Sequence, residues 1–277
     1  MSVLITGASG FIGKKLIKTL KSDLKPKILD INLEIPEKFN YDQIKKNDFI
    51  IHLAAISSPD LCEKDYKLAY KINVKGTSYF IQKCLKKDAK ILFFSSDTIY
   101  GETKNTCANE LSKPHPLGKY AKTKLAIEKK FQKEKNFKIF RLSLVFAKND
   151  KFTTYLNECS KNKKPAEIFN TFYRNVIYIE DVLYAIKKII KNFNKFDNQI
   201  FNICGENLLS RQDLAYLYKK NIDKNLKIKI IKPPKEFLKI RAEKTHIKSL
   251  YLKSLLGKPT ISIEKAMKIE FNKSAKN

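Results

Sequence analysis

The first 21 residues constrain the fold of this chain more than any other stretch. Residues 2–6, Ser-Val-Leu-Ile-Thr, form a short apolar strand pattern, and Gly7-Ala-Ser-Gly10-Phe-Ile-Gly13 follows as a glycine turn. Residues 11–21 then carry the apolar spacing of an amphipathic helix. A strand that passes through such a turn into a helix is the context a dinucleotide-binding unit needs. Gly7 permits the tight bend, Gly10 lets backbone approach a pyrophosphate, and Gly13 lets the helix pack closely on the sheet. Ser9, Phe11 and Ile12 complete the turn at a helix N-terminus, whose backbone N–H groups favour an anion. Asp30 closes the second strand, 27–30, with Ile31 beside it. A carboxylate there accepts hydrogen bonds from adenosine ribose hydroxyls and repels a 2′-phosphate, so NAD(H) is favoured. Lys14 and Lys15 lie close enough in sequence to blunt that preference and leave NADP(H) open.

Strands and helices alternate through the first half. Further strands are expected at 49–55, 90–95 and 138–143, and helices at 65–86 and 117–134. Residues 49–55, Phe-Ile-Ile-His-Leu-Ala-Ala, are nearly all apolar, as for a parallel strand buried on both faces. The alternation predicts an α/β fold, a Rossmann-type doubly wound parallel sheet. From about Phe146 the rhythm loosens, with short strands expected at 176–178, 199–202 and 227–231. Helices are expected at 181–191, 210–220 and 246–256, with Asp181 and Ser210 as N-terminal caps and Gly257-Lys-Pro259 ending the last. Residues 1–146 thus read as mainly the dinucleotide-binding domain and 147–277 as mainly a smaller α/β substrate lobe, some of whose elements return to the first sheet.

Composition narrows the partners. The formal charge is +28, yet only four of the 56 basic residues are arginine: Arg141, Arg174, Arg211 and Arg241. The lysines spread along the whole chain, which reads as a solvated surface typical of an AT-rich genome rather than a nucleic-acid site. No motif of a zinc knuckle, helix-turn-helix or RNA-binding module is present. No apolar run is long enough for a membrane span, and the N-terminus lacks the charged region of a signal peptide. Five scattered cysteines without a CxxC pair read as reduced thiols in a cytoplasm, with neither a disulfide framework nor a metal site. The oligomeric state stays open, a homodimer included.

Tyr120-Ala-Lys-Thr-Lys124 carries the chemistry. Tyrosine and lysine four residues apart share a helix face, and an ammonium beside a phenol is expected to lower the phenol's pKa. In the order GASGFIG, HLAA, KINVKGT, FFSSDTIYGE, YAKTK and RNVIYIEDV, the chain resembles the extended short-chain dehydrogenase/reductase superfamily from residue 2 to about 256. Within it the chain is most similar to the dTDP-4-dehydrorhamnose reductase-like sugar-nucleotide reductases. The resemblance implies that Tyr120 is the general acid, that Lys124 tunes it and binds the nicotinamide ribose, and that Ser96 holds the substrate oxygen. It places Asn73, Leu53, Ala54 and Ala55 along the cofactor groove, and Ser57, Arg174 and Arg241 toward a nucleotide-diphosphate sugar.

Asp97-Thr98 separates activities. Similar 4,6-dehydratases carry an Asp-Glu pair there, and the missing glutamate disfavours dehydration. An aspartate at 97 favours a reductase over a C4-epimerase with tightly bound NAD. Cys107 and His115 do not match the motif positions of an epimerising acid and base, and read as loop residues. Arg141, inside a strand, reads as structural, and Arg211 receives no role. A non-catalytic regulatory nucleotide-binding subunit is the rival of another class, which the intact Ser/Tyr/Lys set opposes. One departure stands out: fewer than twenty residues separate Asp30 from the strand at Phe49, where relatives usually fit a helix and a strand. Asp42 is a poor substitute for their acidic residue near the adenine.

Overall fold

Apolar strands with both faces buried build the centre of the molecule, as seen in a computed structural model that describes residues 1–272. Val3–Thr6 and Phe49–His52 are buried at every residue. They lie in a six-stranded sheet ordered Ile200–Ile203, Phe137–Leu142, Lys90–Ser96, Phe49–His52, Val3–Thr6, Lys27–Ile28. Every pairing in it is parallel. Lys27–Ile28 is the exposed, two-residue edge. A shorter edge presents fewer unpaired backbone groups to a neighbouring chain.

Successive residues of each strand feed opposite layers, as the two-residue period requires. Val3, Ile5, Phe49, Ile51, Leu92 and Phe94 pack into one core with helices Phe11–Leu20 and Ile179–Asn192. Leu4, Ile50, Ile91 and Phe93 pack into the other with helices Thr77–Leu85 and Lys119–Phe131. The sheet is therefore doubly wound, as expected, with one helix and one strand supplied by the second half of the chain. The remaining strands form small sheets. Tyr173–Asn175 lies between Leu208–Leu209 and Lys244–Thr245, Ala166–Phe169 pairs with Ile228–Ile231, and Val145–Phe146 pairs with Ile177–Tyr178.

Several local expectations are corrected. The helix expected at 65–86 is present without a gap from Tyr66 to Leu85, but its middle, Lys71–Gly76, is widened into a π-helical turn between Tyr66–Tyr70 and Thr77–Leu85. Gly76 belongs to that widened turn because a Cβ there would meet the Leu33 carbonyl oxygen at 1.8 Å. The helix expected at 246–256 shrinks to Leu252–Leu256. The chain before it runs extended, bridging Ile247 to Ala108, because Asn175 Oδ1 accepts the Ile247 N–H and so holds the backbone out of a helix. A final helix, Ile263–Asn272, was not anticipated. Asp181 is no cap: it lies inside its helix, buried, and its carboxylate accepts the Ile261 N–H. Ser210 does cap, in a reciprocal box with Asp213, and Gly257 ends its helix at φ +70°. Between Asp30 and Phe49 only the 3-10 turns Pro36–Lys38 and Tyr41–Gln43 form, and Asp42 is exposed and paired with Lys87. Among the described residues no helix is long and apolar enough to cross a membrane, and no cluster could hold a metal ion.

Candidate active site

The glycine turn is built by close approach. Gly7 sits at φ +66°, and a Cβ on it would meet Ala54 N at 2.6 Å, so the turn rests on the Leu53-Ala54-Ala55 backbone after the third strand. A Cβ on Gly13 would meet the Gly7 carbonyl oxygen at 2.5 Å. Gly10 starts helix Phe11–Leu20 without a side-chain cap, and its first turn holds no carboxylate. The backbone donors at this end thus have no competing anion beside them. Ser9, Gly10 and Asp30 are exposed there, while Phe11, Ile12, Ile31, Leu53, Ala54 and Ala55 are partly buried. This arrangement fits a dinucleotide: a small-residue cradle, an open helix N-terminus and a carboxylate past the edge strand. Asn73 contributes indirectly. Its side chain is spent on the backbone of Ile56, accepting the N–H at 2.8 Å and donating to the carbonyl at 2.9 Å, which shapes the groove.

Helix Lys119–Phe131 carries the Tyr120 and Lys124 pair. Its N-cap, Gly118, offers no side chain, and Glu63 Oε1 accepts the Lys119 N–H at 2.6 Å in its place. Lys124 is buried. Its Nζ donates to the Phe94 carbonyl at 2.8 Å and lies 5.9 Å from the Tyr120 ring centroid. Burial lowers the Lys124 ammonium to about 8. The expectation that this ammonium lowers the Tyr120 phenol is corrected: the phenol is pushed up, first by burial and then by the neighbouring Asp97 and Cys62. Desolvation outweighs a cation whose hydrogen bond goes to a backbone carbonyl. At neutral pH the phenol keeps its proton, which suits an acid rather than a base.

Ser96 closes strand Lys90–Ser96. Its hydroxyl donates to Asp97 Oδ1 at 3.2 Å and accepts from the Thr98 N–H and hydroxyl. Asp97 is buried, accepts the Ser143 hydroxyl at 2.9 Å and faces Arg174 Nε at 3.9 Å; burial raises its carboxyl. A cavity beside this network is lined by Pro59, Thr98, Tyr120, Arg174, Arg241 and neighbours. The structure therefore brings Tyr120, Arg174 and Arg241 onto one wall. Thr98 lines it instead of Ser96 or Asp97, and Ser57 is exposed outside it.

The arginines differ in what they have left to offer. Arg141 is buried against Glu128 at 2.7 Å and Tyr100, a structural pair as expected. Arg174 is buried and spends Nη1 and Nη2 on the carbonyls of Tyr173 and Ala242. Arg241 pairs Nη2 with Asp60 at 2.6 Å, stacks 4.4 Å from the Phe237 centroid, and keeps a buried Nη1 without a partner. Sequence reasoning gave no site role to Glu63 or Asp60, and read Thr98 only as the residue in place of a dehydratase glutamate. Only Thr98 carried a local signal, as the neighbour of Ser96-Asp97.

Comparison with known proteins places this geometry. The family model described as RmlD substrate binding domain matches residues 1–248. The dTDP-4-dehydrorhamnose reductase of Aggregatibacter actinomycetemcomitans is 30% identical over 128 residues, 44% of this chain and 44% of that protein. The N-acetyl-alpha-D-glucosaminyl-diphospho-ditrans,octacis-undecaprenol 4-epimerase of Escherichia coli O157:H7 is 27% identical over 214 residues, 69% of this chain and 63% of its own. The chain thus spans less than two thirds of the length of either relative. The crystal structure of dTDP-4-dehydrorhamnose reductase from Bacillus anthracis str. Ames in complex with NADP has a TM-score of 0.84 at 21% identity, covering 99% of each chain. At that identity the likeness is one of fold.

Proposed function

Because the chain belongs to the RmlD substrate binding domain family, we propose that it is an NAD(P)-dependent reductase of the extended short-chain dehydrogenase/reductase type, acting on a nucleotide-linked 4-keto-6-deoxy sugar. The sugar would be a hexose or heptose used in surface-polysaccharide synthesis in the cytoplasm. The observation that carries the reading is Tyr120, a phenol that keeps its proton, on the cavity wall it shares with Arg241. Residues 1–146 mainly hold the dinucleotide and 147–277 mainly the sugar nucleotide. Gly7, Gly10 and Gly13 cradle the pyrophosphate, and the exposed Asp30 takes the adenosine ribose, favouring NAD(H). NADP(H) stays open, and the Bacillus anthracis relative holds it.

When bound, the reduced nicotinamide supplies a hydride to C4. Tyr120 gives its phenolic proton to the oxygen formed there. Lys124 holds the pair of hydroxyls on the cofactor ribose and keeps positive charge beneath the phenol. Ser96 orients the carbonyl oxygen through Thr98, which lines the cavity and donates its hydroxyl to Ser96, and Asp97 fixes Ser96. Thr98 stands where a dehydratase needs an acid–base glutamate, so water is not removed. The 27% identical 4-epimerase supports the second reading, in which NAD stays bound and no reductant is consumed.

The test is oxidation of added NADH and NADPH with a panel of dTDP-, UDP-, GDP- and CDP-linked 4-keto-6-deoxy sugars. Stoichiometric oxidation with one of them is expected, and Tyr120→Phe should lower kcat by about 10²–10⁴-fold. Interconversion of the corresponding 4-hydroxy sugar nucleotides, run without added reductant, would establish the epimerase. Most of the turnover surviving in Tyr120→Phe would refute the proton-donor role.

A further inference from the structure

Three of the four arginines gather on one group of phenylalanine rings, in a chain where almost every other cation is lysine. Arg174 lies 4.0 Å from the Phe172 centroid, and Arg211 lies 5.3 Å from the same ring and 4.5 Å from Phe152. Phe172 packs 5.5 Å from Phe237, which carries Arg241. The backbone dictates this meeting. Strand Leu208–Leu209 pairs antiparallel with Tyr173–Asn175, placing Leu209 opposite Arg174, and Ser210 then turns the chain into helix Arg211–Asn221. Arg211 is delivered beside Arg174 with its guanidinium between two rings.

Their hydrogen bonds divide the three. Arg174 is spent on protein carbonyls, and Arg241 is half spent on Asp60. Among the described residues the Arg211 guanidinium has neither a hydrogen bond nor an ion pair, although it is partly buried; it lines a second small, mostly apolar cavity, separate from the one that holds Tyr120 and Arg241. The carboxylates nearby are already committed. Asp150 accepts from Ala147, Phe152 and Thr153, and Asp213 accepts from Ser210. Burial lowers the guanidinium to about 10; the Asp150 carboxylate works against that shift and the neighbouring Arg174 adds to it. A stacked planar fork with all its in-plane donors open is the geometry that receives an oxyanion bidentately.

We propose that Arg211 is a substrate-binding residue for a phosphate oxyanion of the nucleotide diphosphate, acting with Arg241, while Arg174 holds the Phe172 platform between them. The proposal rests on the sugar-nucleotide reading of the Tyr120 cavity, which Arg211 adjoins through the Phe172 ring it shares with Arg174. It reverses the sequence expectation, which assigned Arg174 to the substrate and left Arg211 without a role.

Calorimetric titration of the full chain with UDP, dTDP, GDP, CDP and inorganic pyrophosphate tests it, together with melting curves recorded without ligand. Arg211→Gln should weaken the best diphosphate by about tenfold or more. Arg211→Lys should recover only part of the loss, and NADH affinity should stay unchanged in both. The ligand-free melting temperature of Arg211→Gln should match or exceed wild type, because an unpaired cation has been removed. A merely structural arginine would instead lower that temperature and leave diphosphate affinity unchanged, and either result overturns the proposal. Failure of the wild-type protein to bind every diphosphate probe overturns it as well. Arg211-dependent diphosphate binding without any NADH oxidation would leave this site standing and remove the reductase reading alone.

Discussion

Lys124→Met should stabilise the ligand-free protein near neutral pH while it removes catalysis. The buried ammonium has its pKa lowered from 10.5 to about 8. That difference costs the folded state about 3 kcal/mol whenever both states are protonated. Methionine avoids this cost at similar volume. It also forfeits the hydrogen bond to the Phe94 carbonyl and the contact with the Phe93 ring, 4.9 Å from Nζ. Those losses are about 1 kcal/mol each. The net gain is about 1 kcal/mol, or a melting temperature higher by roughly 2–4 °C for a chain of this size. The pH dependence is a sharper readout. Between about pH 8 and 10.5 the unfolded lysine holds a proton that the buried one has released, so wild-type stability attributable to Lys124 rises with pH. Urea unfolding followed by circular dichroism at pH 7, 8, 9 and 10, for both proteins, isolates this residue because all other titrations cancel in the difference. The variant's advantage should be flat below pH 8 and reverse above it. A variant several kcal/mol less stable at pH 7, with a difference that ignores pH, would refute the desolvation argument.

Two further outcomes follow from the same geometry. Asp30→Ala removes the carboxylate that opposes a 2′-phosphate, so the ratio of kcat/KM for NADPH over NADH should rise about tenfold; an unchanged ratio would move cofactor choice elsewhere. Glu128→Ala leaves Arg141 charged and unpaired in the core, where both side chains are nearly inaccessible. It should cost about 3–5 kcal/mol in urea unfolding, and a loss under 1 kcal/mol would show that water or Tyr100 suffices for the arginine.

How much of this was legible in the sequence depended on the range of each interaction. The Gly7, Gly10, Gly13 turn and the Tyr120 and Lys124 pair are local patterns, and both take up their expected places on a helix start and a helix face. The doubly wound sheet was equally readable, because strands buried on both faces must be continuously apolar. The helix expected at 246–256 misled because its local spacing was helical while Asn175, more than seventy residues away, claims the Ile247 N–H.

Local sequence suffices for the glycine-turn frame and for setting Tyr120 and Lys124 on one helix face, since backbone turns and i,i+4 spacing need nothing beyond the neighbouring residues. The electrostatics around them come instead from contacts made across long stretches of chain. Glu63 caps the Tyr120 helix from 56 positions away, and Lys124 donates to the carbonyl of Phe94, 30 positions away. Arg174 is consumed by Ala242 and Arg241 in part by Asp60, while among the described residues the Arg211 guanidinium has no hydrogen-bond partner. Charge, burial and free hydrogen-bonding capacity depend on what the fold packs against each group, and residue spacing carries no record of that.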